Sequence, residues 1–270
     1  VGQPELYQAM AAYIRGASYQ NVSSYELSKK YFEKTVSLLD SLKYESIKAR
    51  AYIGLANNNK NTGDYPKAFS DLYKALKIYE KRDHKNGISS AYICMAQIYL
   101  QKNDIESTVE RLKKALKILG DNKYNETYLI ASHTLANVYG MEGDYKSALT
   151  IDEEGIRISD SINSPRNKTS FFDNKANCYM YSNQLDSAAY YFNECLKIDT
   201  AIGDRKQVAD TYINLGTLNL LKKDFVTAED YANKSISILK QINQKPDLMR
   251  AYAVLSDIYK TQGNYAKALE

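Results

Sequence analysis

A short turn signal recurs along this chain at multiples of 40 residues, and this fixed spacing limits the fold more than any other feature. Residues 63–65 and 143–145 both read Gly-Asp-Tyr, and residues 263–265 read Gly-Asn-Tyr. Self-similarity at a period of about 20 to 50 residues indicates a repeat protein whose copies pack on their neighbours. Without insertion or deletion, the sequence divides into repeats at 9–48, 49–88, 89–128, 129–168, 169–208 and 209–248, with a partial repeat at 249–270.

Each repeat carries the signals of two helices joined by a tight turn. Gly or Asn opens most of the turns, and these residues tolerate the left-handed backbone that ends a helix. The next residue is usually Asp, Asn or Ser, which can cap the following helix. Apolar residues then recur at helical spacing, as in Phe69, Leu72 and Leu76. Gln184 and Lys223 break the pattern, so we expect their turns to be less well specified.

Three positions of the repeat hold a small residue in every copy, which allows neighbouring helices to approach within about 8–10 Å. The column in the first helix is Gly16, Ala56, Ala96, Ala136, Ala176, Gly216 and Ser256. The two columns in the second helix are Ser28, Ala68, Thr108, Ala148, Ala188, Ala228 and Ala268, and Thr35, Ala75, Ala115, Gly155, Cys195 and Ser235. Two columns of mostly tyrosine are predicted to fill the core around them: Tyr52, Tyr92, Phe172, Tyr212 and Tyr252, and Tyr19, Tyr99, Tyr139, Tyr179 and Tyr259.

This arrangement resembles the tetratricopeptide repeat. One repeat shows it well through Tyr52, Leu55, Ala56, residues 63–65, Ala68, Leu72 and Ala75. The resemblance implies an all-α fold, a right-handed α-solenoid of antiparallel helix pairs with six full repeats and a truncated seventh. The 40-residue repeat exceeds the common 34-residue one and is similar to those of bacterial peptide-sensing regulators and of the input segments of sensor kinases. We therefore expect longer helices, and a single array over residues 1–270.

In this family the first helices line a concave groove that binds peptides. Carried over to this sequence, the resemblance gives a ladder of carboxamides on successive repeats: Asn57, Gln97, Asn137 and Asn177. A carboxamide can donate and accept at once, which matches the backbone of an extended peptide. The residues predicted to surround the ladder are Arg50, His133, Met141, Asn174, Tyr181 and Asn214. Of these, Arg50, His133, Met141 and Tyr181 are expected to select peptide side chains. An alternative interpretation is that these are ordinary polar residues on a solvated helix face.

The predicted function is therefore recognition of a protein or extended peptide, as the sensory or scaffold segment of a bacterial signalling or transcription-regulatory protein. A free-standing assembly scaffold without a signalling output is the alternative. The chaperone-type carboxylate clamp of this family needs lysines where this chain has Ile53, Ile93, His133 and Asp173. Binding of an acidic chaperone tail is therefore not expected.

Composition argues against other classes of function. The 36 basic and 32 acidic residues are scattered, whereas nucleic-acid binders concentrate basic charge on one face. The three cysteines lack metal-ligand spacing, and no catalytic triad or phosphate-binding loop accompanies His84 or His133. We expect no enzyme, cofactor, metal or nucleic-acid partner. No secretory signal or membrane span is visible, which leaves a cytoplasmic or a periplasmic location open.

The C-terminal repeat stops six residues into its second helix, at residues 265–270. An array normally ends on a repeat with a polar outer face, whereas Tyr252, Leu255 and Tyr259 would be left half covered here. We therefore expect a longer natural chain, and weak self-association through the incomplete repeat.

Overall fold

The computed structural model describes residues 3–39, 44–120 and 123–269, and in this part of the chain the secondary structure is helical. The first helices of the repeats are α1 Gln3–Asn21, α3 Glu45–Asn61, α5 Lys85–Gln101, α7 Glu126–Met141, α9 Pro165–Tyr181, α11 Arg205–Leu221 and α13 Lys245–Thr261. The second helices are α2 Tyr25–Leu38, α4 Tyr65–Lys81, α6 Ile105–Leu119, α8 Tyr145–Ser161, α10 Leu185–Ala201, α12 Phe225–Gln241 and α14 Tyr265–Leu269. The all-α fold of consecutive helix pairs is confirmed.

The turns between repeats have the same geometry as the turns within them. Residues with positive φ recur every 20 positions through most of the described chain, as at Gly63 (82°), Asp83 (48°) and Asn103 (59°). Each of these turns closes the preceding helix with a backbone bond spanning five residues, for example Asp64 N–H to Asn59 O at 2.8 Å. Most helices are consequently 17 residues long, and each first helix begins about one turn before the repeat boundary set by the sequence pattern.

Four aspartates predicted as helix caps perform that role. The side chains of Asp64, Asp104, Asp144 and Asp224 accept from the backbone N–H three residues later. Ser24 and Gln184 occupy the same position without a capping side-chain bond. Gln184 N–H still donates to Tyr179 O at 2.8 Å, so the turn there closes like the others although a cap bond is missing. Ser24 does not act as the predicted cap. The turn at Lys223 has φ of 62°, so a lysine adopts the left-handed conformation there.

The chain forms two compact units, Val1–Ala131 and Ser132–Glu270. In both units the small columns are buried at the helix contacts, apart from the terminal Ser256 and Ala268, which are partly buried. Large rings occupy the space that the small residues leave. The Phe32 ring packs so closely that a Cβ added at Gly54 would lie 2.5 Å from it.

The two aromatic columns are less buried than the sequence analysis predicted. Tyr92 is buried, but the others are partly buried and Tyr252 is 43% exposed. The rings lie at the edge of the helix contacts, where lysine ammonium groups cover several of them. Lys114 Nζ lies 4.5 Å from the Tyr92 ring centroid, and Lys74 Nζ lies 5.3 Å from that of Tyr52. These cation–π contacts explain why Tyr serves at an edge position.

Tyr252 and Tyr265 are exposed in the last repeat, and Glu270 lies outside the described residues. Among the described helices, none is long and apolar enough to cross a membrane.

Candidate functional site

Six of the ten predicted site residues line one cavity of about 600 Å³ in the compact unit 132–270. The first helices of four successive repeats, α7, α9, α11 and α13, contribute nearly all of its wall. We call this cavity the first-helix pocket. It is lined by Asn137, Gly140, Met141, Tyr145, Asp173, Asn174, Asn177, Cys178, Tyr181, Asn214 and Arg250.

Asp173 organises the floor of this pocket. Its Oδ1 accepts from Asn214 Nδ2 at 2.7 Å, and its Oδ2 accepts from Asn177 Nδ2 at 3.0 Å. The Asn177 amide nitrogen also donates to the Asp173 backbone carbonyl at 2.9 Å. Two of the predicted peptide-binding carboxamides therefore hold a carboxylate, and their amide oxygens remain as acceptors for a ligand.

Asn174 serves a second buried carboxylate. Its Nδ2 donates to both oxygens of Asp152, at 2.9 and 3.0 Å, and both residues are buried. Burial raises the pKa of Asp152 to about 7, although hydrogen bonding to Asn174 and the charge of Lys175 oppose the shift. Asn174 thus fixes an internal acid, and its donors are not available to a ligand.

Two large side chains that line the first-helix pocket are exposed. Met141 is 63% exposed and Tyr181 is 66% exposed. Asn137 is partly buried and makes no side-chain hydrogen bond within the described residues. An unpaired carboxamide between two exposed apolar side chains can bind both the backbone and the side chains of a peptide.

The remaining predicted residues lie elsewhere. In the compact unit 1–131, Gln97 Oε1 accepts from Lys60 Nζ at 2.6 Å, and Asn57 Oδ1 accepts from the Cys94 thiol at 3.6 Å. Arg50 lies over the Tyr13 ring and lines a separate cavity of about 380 Å³.

His133 is absent from the walls of the first-helix pocket. Its ring meets the Phe171 ring edge-on at 5.7 Å. Burial lowers its pKa to about 4, so the imidazole is neutral at physiological pH. His133 therefore packs against the Phe171 ring as a neutral side chain.

Sequence reasoning missed the buried acids, although the repeat grid contains the signal for them. Asp152 replaces a residue that is Leu or Phe in four other repeats, and Asp173 occurs where three repeats have Ile. The equivalents of Asp199 include Leu39, Leu119 and Leu239. A carboxylate in a column that is mostly apolar costs free energy, and such departures mark candidate sites.

The chemistry available in the pocket is hydrogen bonding and charge. Burial raises the pKa of Asp173 to about 6, against hydrogen bonding to Asn214, and burial raises the pKa of Cys178 to about 11. A thiol with such a pKa is a poor nucleophile at neutral pH. Within the described ranges, no group of three carboxylates, thiols or imidazoles is placed to hold a metal ion.

Known protein families and solved structures are similar to this chain. The model of the family described as Tetratricopeptide repeat matches residues 169–241, and a second model with the same description matches residues 250–270. No curated protein matches the sequence. BtubC (BKLC) from P. vanneervenii is similar in structure, with 17% identity, a TM-score of 0.64 and coverage of 90% of this chain and 94% of that one.

Two further solved structures are similar over nearly the whole chain. Aspartyl phosphate phosphatase F from Bacillus subtilis has 15% identity and a TM-score of 0.75, with coverage of 98% of this chain and 68% of that one. The Rap conjugation gene regulator of the plasmid pLS20, solved in complex with the Phr* peptide, has 16% identity and a TM-score of 0.74, with coverage of 98% and 72%. At these identities the likeness concerns the fold. The family matches at residues 169–241 and 250–270, together with the helix pairs of both compact units, therefore show tetratricopeptide repeats in this chain.

Proposed function

We propose that this chain is the peptide-recognition segment of a bacterial regulatory protein, and that the peptide binds in the first-helix pocket. The observation that carries the proposal is the convergence of Asn137, Asn177 and Asn214 from three successive first helices on one cavity. A role in protein interaction agrees with the tetratricopeptide repeats of the chain. The regulatory context draws on the similar Rap regulators, one of which is in complex with a peptide.

The arrangement of the pocket suits an extended chain. Equivalent positions on neighbouring repeats lie about 10 Å apart when helices pack at the usual distance. An extended peptide advances about 3.3–3.6 Å per residue, so a carboxamide meets roughly every third peptide residue. Met141 and Tyr181 then contact the side chains in between. Such a site gives affinity through the peptide backbone and modest selectivity through side chains.

Two exposed tyrosines provide a matched test of this location. Tyr181 lines the pocket and is 66% exposed, whereas Tyr190 is 60% exposed and does not line it. Random displayed peptides are selected on the wild-type chain, and each tyrosine is replaced in turn by the photocrosslinker benzoylphenylalanine. We expect selected peptides to crosslink from position 181 and not from position 190. Equal crosslinking from the two positions, or the failure of any peptide to be selected, would contradict the proposal.

A further inference from the structure

A smaller cavity of about 150 Å³ adjoins the first-helix pocket in the compact unit 132–270. Asp173, Asn214 and Arg250 line both cavities. We call the smaller one the acidic pocket, because three carboxylates contribute to its wall. It is lined by Thr169, Asp173, Cys195, Asp199, Gln207, Asp210, Thr211, Asn214 and Arg250.

Asp199 is the unusual member of the acidic pocket. The residue is 2% exposed, and its buried Oδ1 has no hydrogen-bond partner. A buried carboxylate oxygen without a donor costs folding free energy. Since leucine fills this position in three other repeats, helix packing does not require an acid here. The cost indicates that Asp199 serves a purpose other than packing.

The charges around the acidic pocket do not balance. Each nearby basic side chain is paired with carboxylates: Arg166 with Asp204, and Lys206 and Arg250 with both Asp210 and Asp247. Asp173 and Asp199 form no ion pair within the described residues. Five carboxylates against three basic side chains leave two acids without a cationic partner, and these are Asp173 and Asp199.

We propose that the acidic pocket binds an organic cation, the ammonium or guanidinium group of a lysine or arginine side chain of the bound peptide. The cation lies between Asp173 and Asp199 and gives the unpaired oxygen of Asp199 a charge-assisted hydrogen bond. A group with several N–H donors fits this surrounding better than a metal ion, since no three carboxylates, thiols or imidazoles among the described residues are placed to hold one metal ion together. This inference rests on the proposed function, because the cation belongs to a peptide bound in the first-helix pocket, which shares lining residues with the acidic pocket.

The test measures how affinity depends on a single peptide charge. Peptides selected on the wild-type chain are resynthesised with each lysine or arginine replaced by norleucine. We expect one replacement to weaken binding to the wild-type chain by about tenfold or more. The same replacement should change binding to Asp199→Asn by less than about threefold. Asp199→Leu, which restores the leucine of other repeats, provides a second variant with the same expectation.

Three further measurements accompany this test. Asp230→Asn removes an exposed carboxylate that pairs with Lys234 outside both cavities, and it should behave like the wild-type chain. Acetylation of the peptide N-terminus should leave affinity unchanged if a side chain supplies the charge. Propylammonium chloride, compared with sodium chloride at the same concentration, should raise the melting temperature of the wild-type chain and not that of Asp199→Asn.

Each outcome separates this inference from the proposed function. Selected peptides whose affinity does not depend on a basic residue through Asp199 would overturn the inference and leave peptide binding intact. A melting shift with propylammonium but no selected peptide would support a cation site and overturn the peptide function. If neither effect is found, both proposals fall.

Discussion

At the residue scale, Gly155 shows why a position in the small columns has no room for a larger residue. A Cβ at Gly155 would lie 2.3 Å from the Phe171 ring, whereas the nearest atoms to a Cβ at Gly216 lie 3.4 Å away. Both glycines are inside helices, where alanine is favoured by about 0.5–1 kcal/mol. We therefore expect Gly155→Ala to destabilise the protein by about 1–3 kcal/mol through overpacking, and Gly216→Ala to be neutral or stabilising. Chemical denaturation measures both, and equal effects would contradict the packing account.

Asp199 gives a prediction about pH. Burial raises its pKa to about 6 from the ordinary 3.8, against hydrogen bonding to Thr169 and the charge of Arg166. The folded state therefore holds this proton to a higher pH than the unfolded state, so this residue's contribution to stability falls as the pH rises between these values. Compared with the wild type, Asp199→Asn should gain on the order of 1–3 kcal/mol in free energy of unfolding between about pH 4 and pH 7. If the free energies of unfolding of the two proteins differ by the same amount at every pH, Asp199 does not titrate in this way.

At the scale of the helix, tight contacts at the small columns hold the repeats together. Ala148 in α8 is fully buried, whereas Lys146, two residues earlier in the same helix, is exposed. We expect Ala148→Leu to force helices apart and cost about 1–3 kcal/mol. Lys146→Leu in the same helix should change stability by less than about 0.5 kcal/mol. Thermal melts of the two variants test this expectation. It fails if Ala148→Leu has the same melting temperature as the wild type.

Most of the helical architecture could be predicted because its signals are local. Turn residues, caps such as Asp64 and Asp144, and small columns repeat on one grid, so seven copies reinforce each other. The 20-residue spacing of turns was harder to see, because residues as different as Asp83, Asn163 and Gly203 adopt positive φ between repeats. The side-chain pattern marks every second turn, while the backbone geometry marks nearly all of them.

At the scale of the whole molecule, the sequence predicted several carboxamides of the candidate site but not the carboxylates that some of them bind. Repeat spacing could place Asn137 and Asn177 at equivalent positions, with Asn214 about one turn before the next equivalent position, Thr217. Whether a carboxamide faces a ligand or an internal partner depends on its neighbours in three dimensions. The bonds from Asn174 to Asp152 and from Asn177 to Asp173 were not predictable from spacing. The single array over residues 1–270 stays a prediction, and so does self-association of the last repeat.

Titration of a selected peptide against a carboxamide double variant tests the central claim most directly. A lost hydrogen bond costs about 0.5–1.5 kcal/mol, and more where a buried group is left unpaired. Asn137→Ala combined with Asn177→Ala should therefore weaken binding about tenfold to a hundredfold at a temperature where both proteins are folded. Its melting temperature should fall modestly, because Asp173 loses the Asn177 donor. Asn193→Ala, an exposed asparagine outside the pocket, should bind like the wild type. Equal affinity of the double variant and the wild-type chain would contradict peptide recognition in the first-helix pocket.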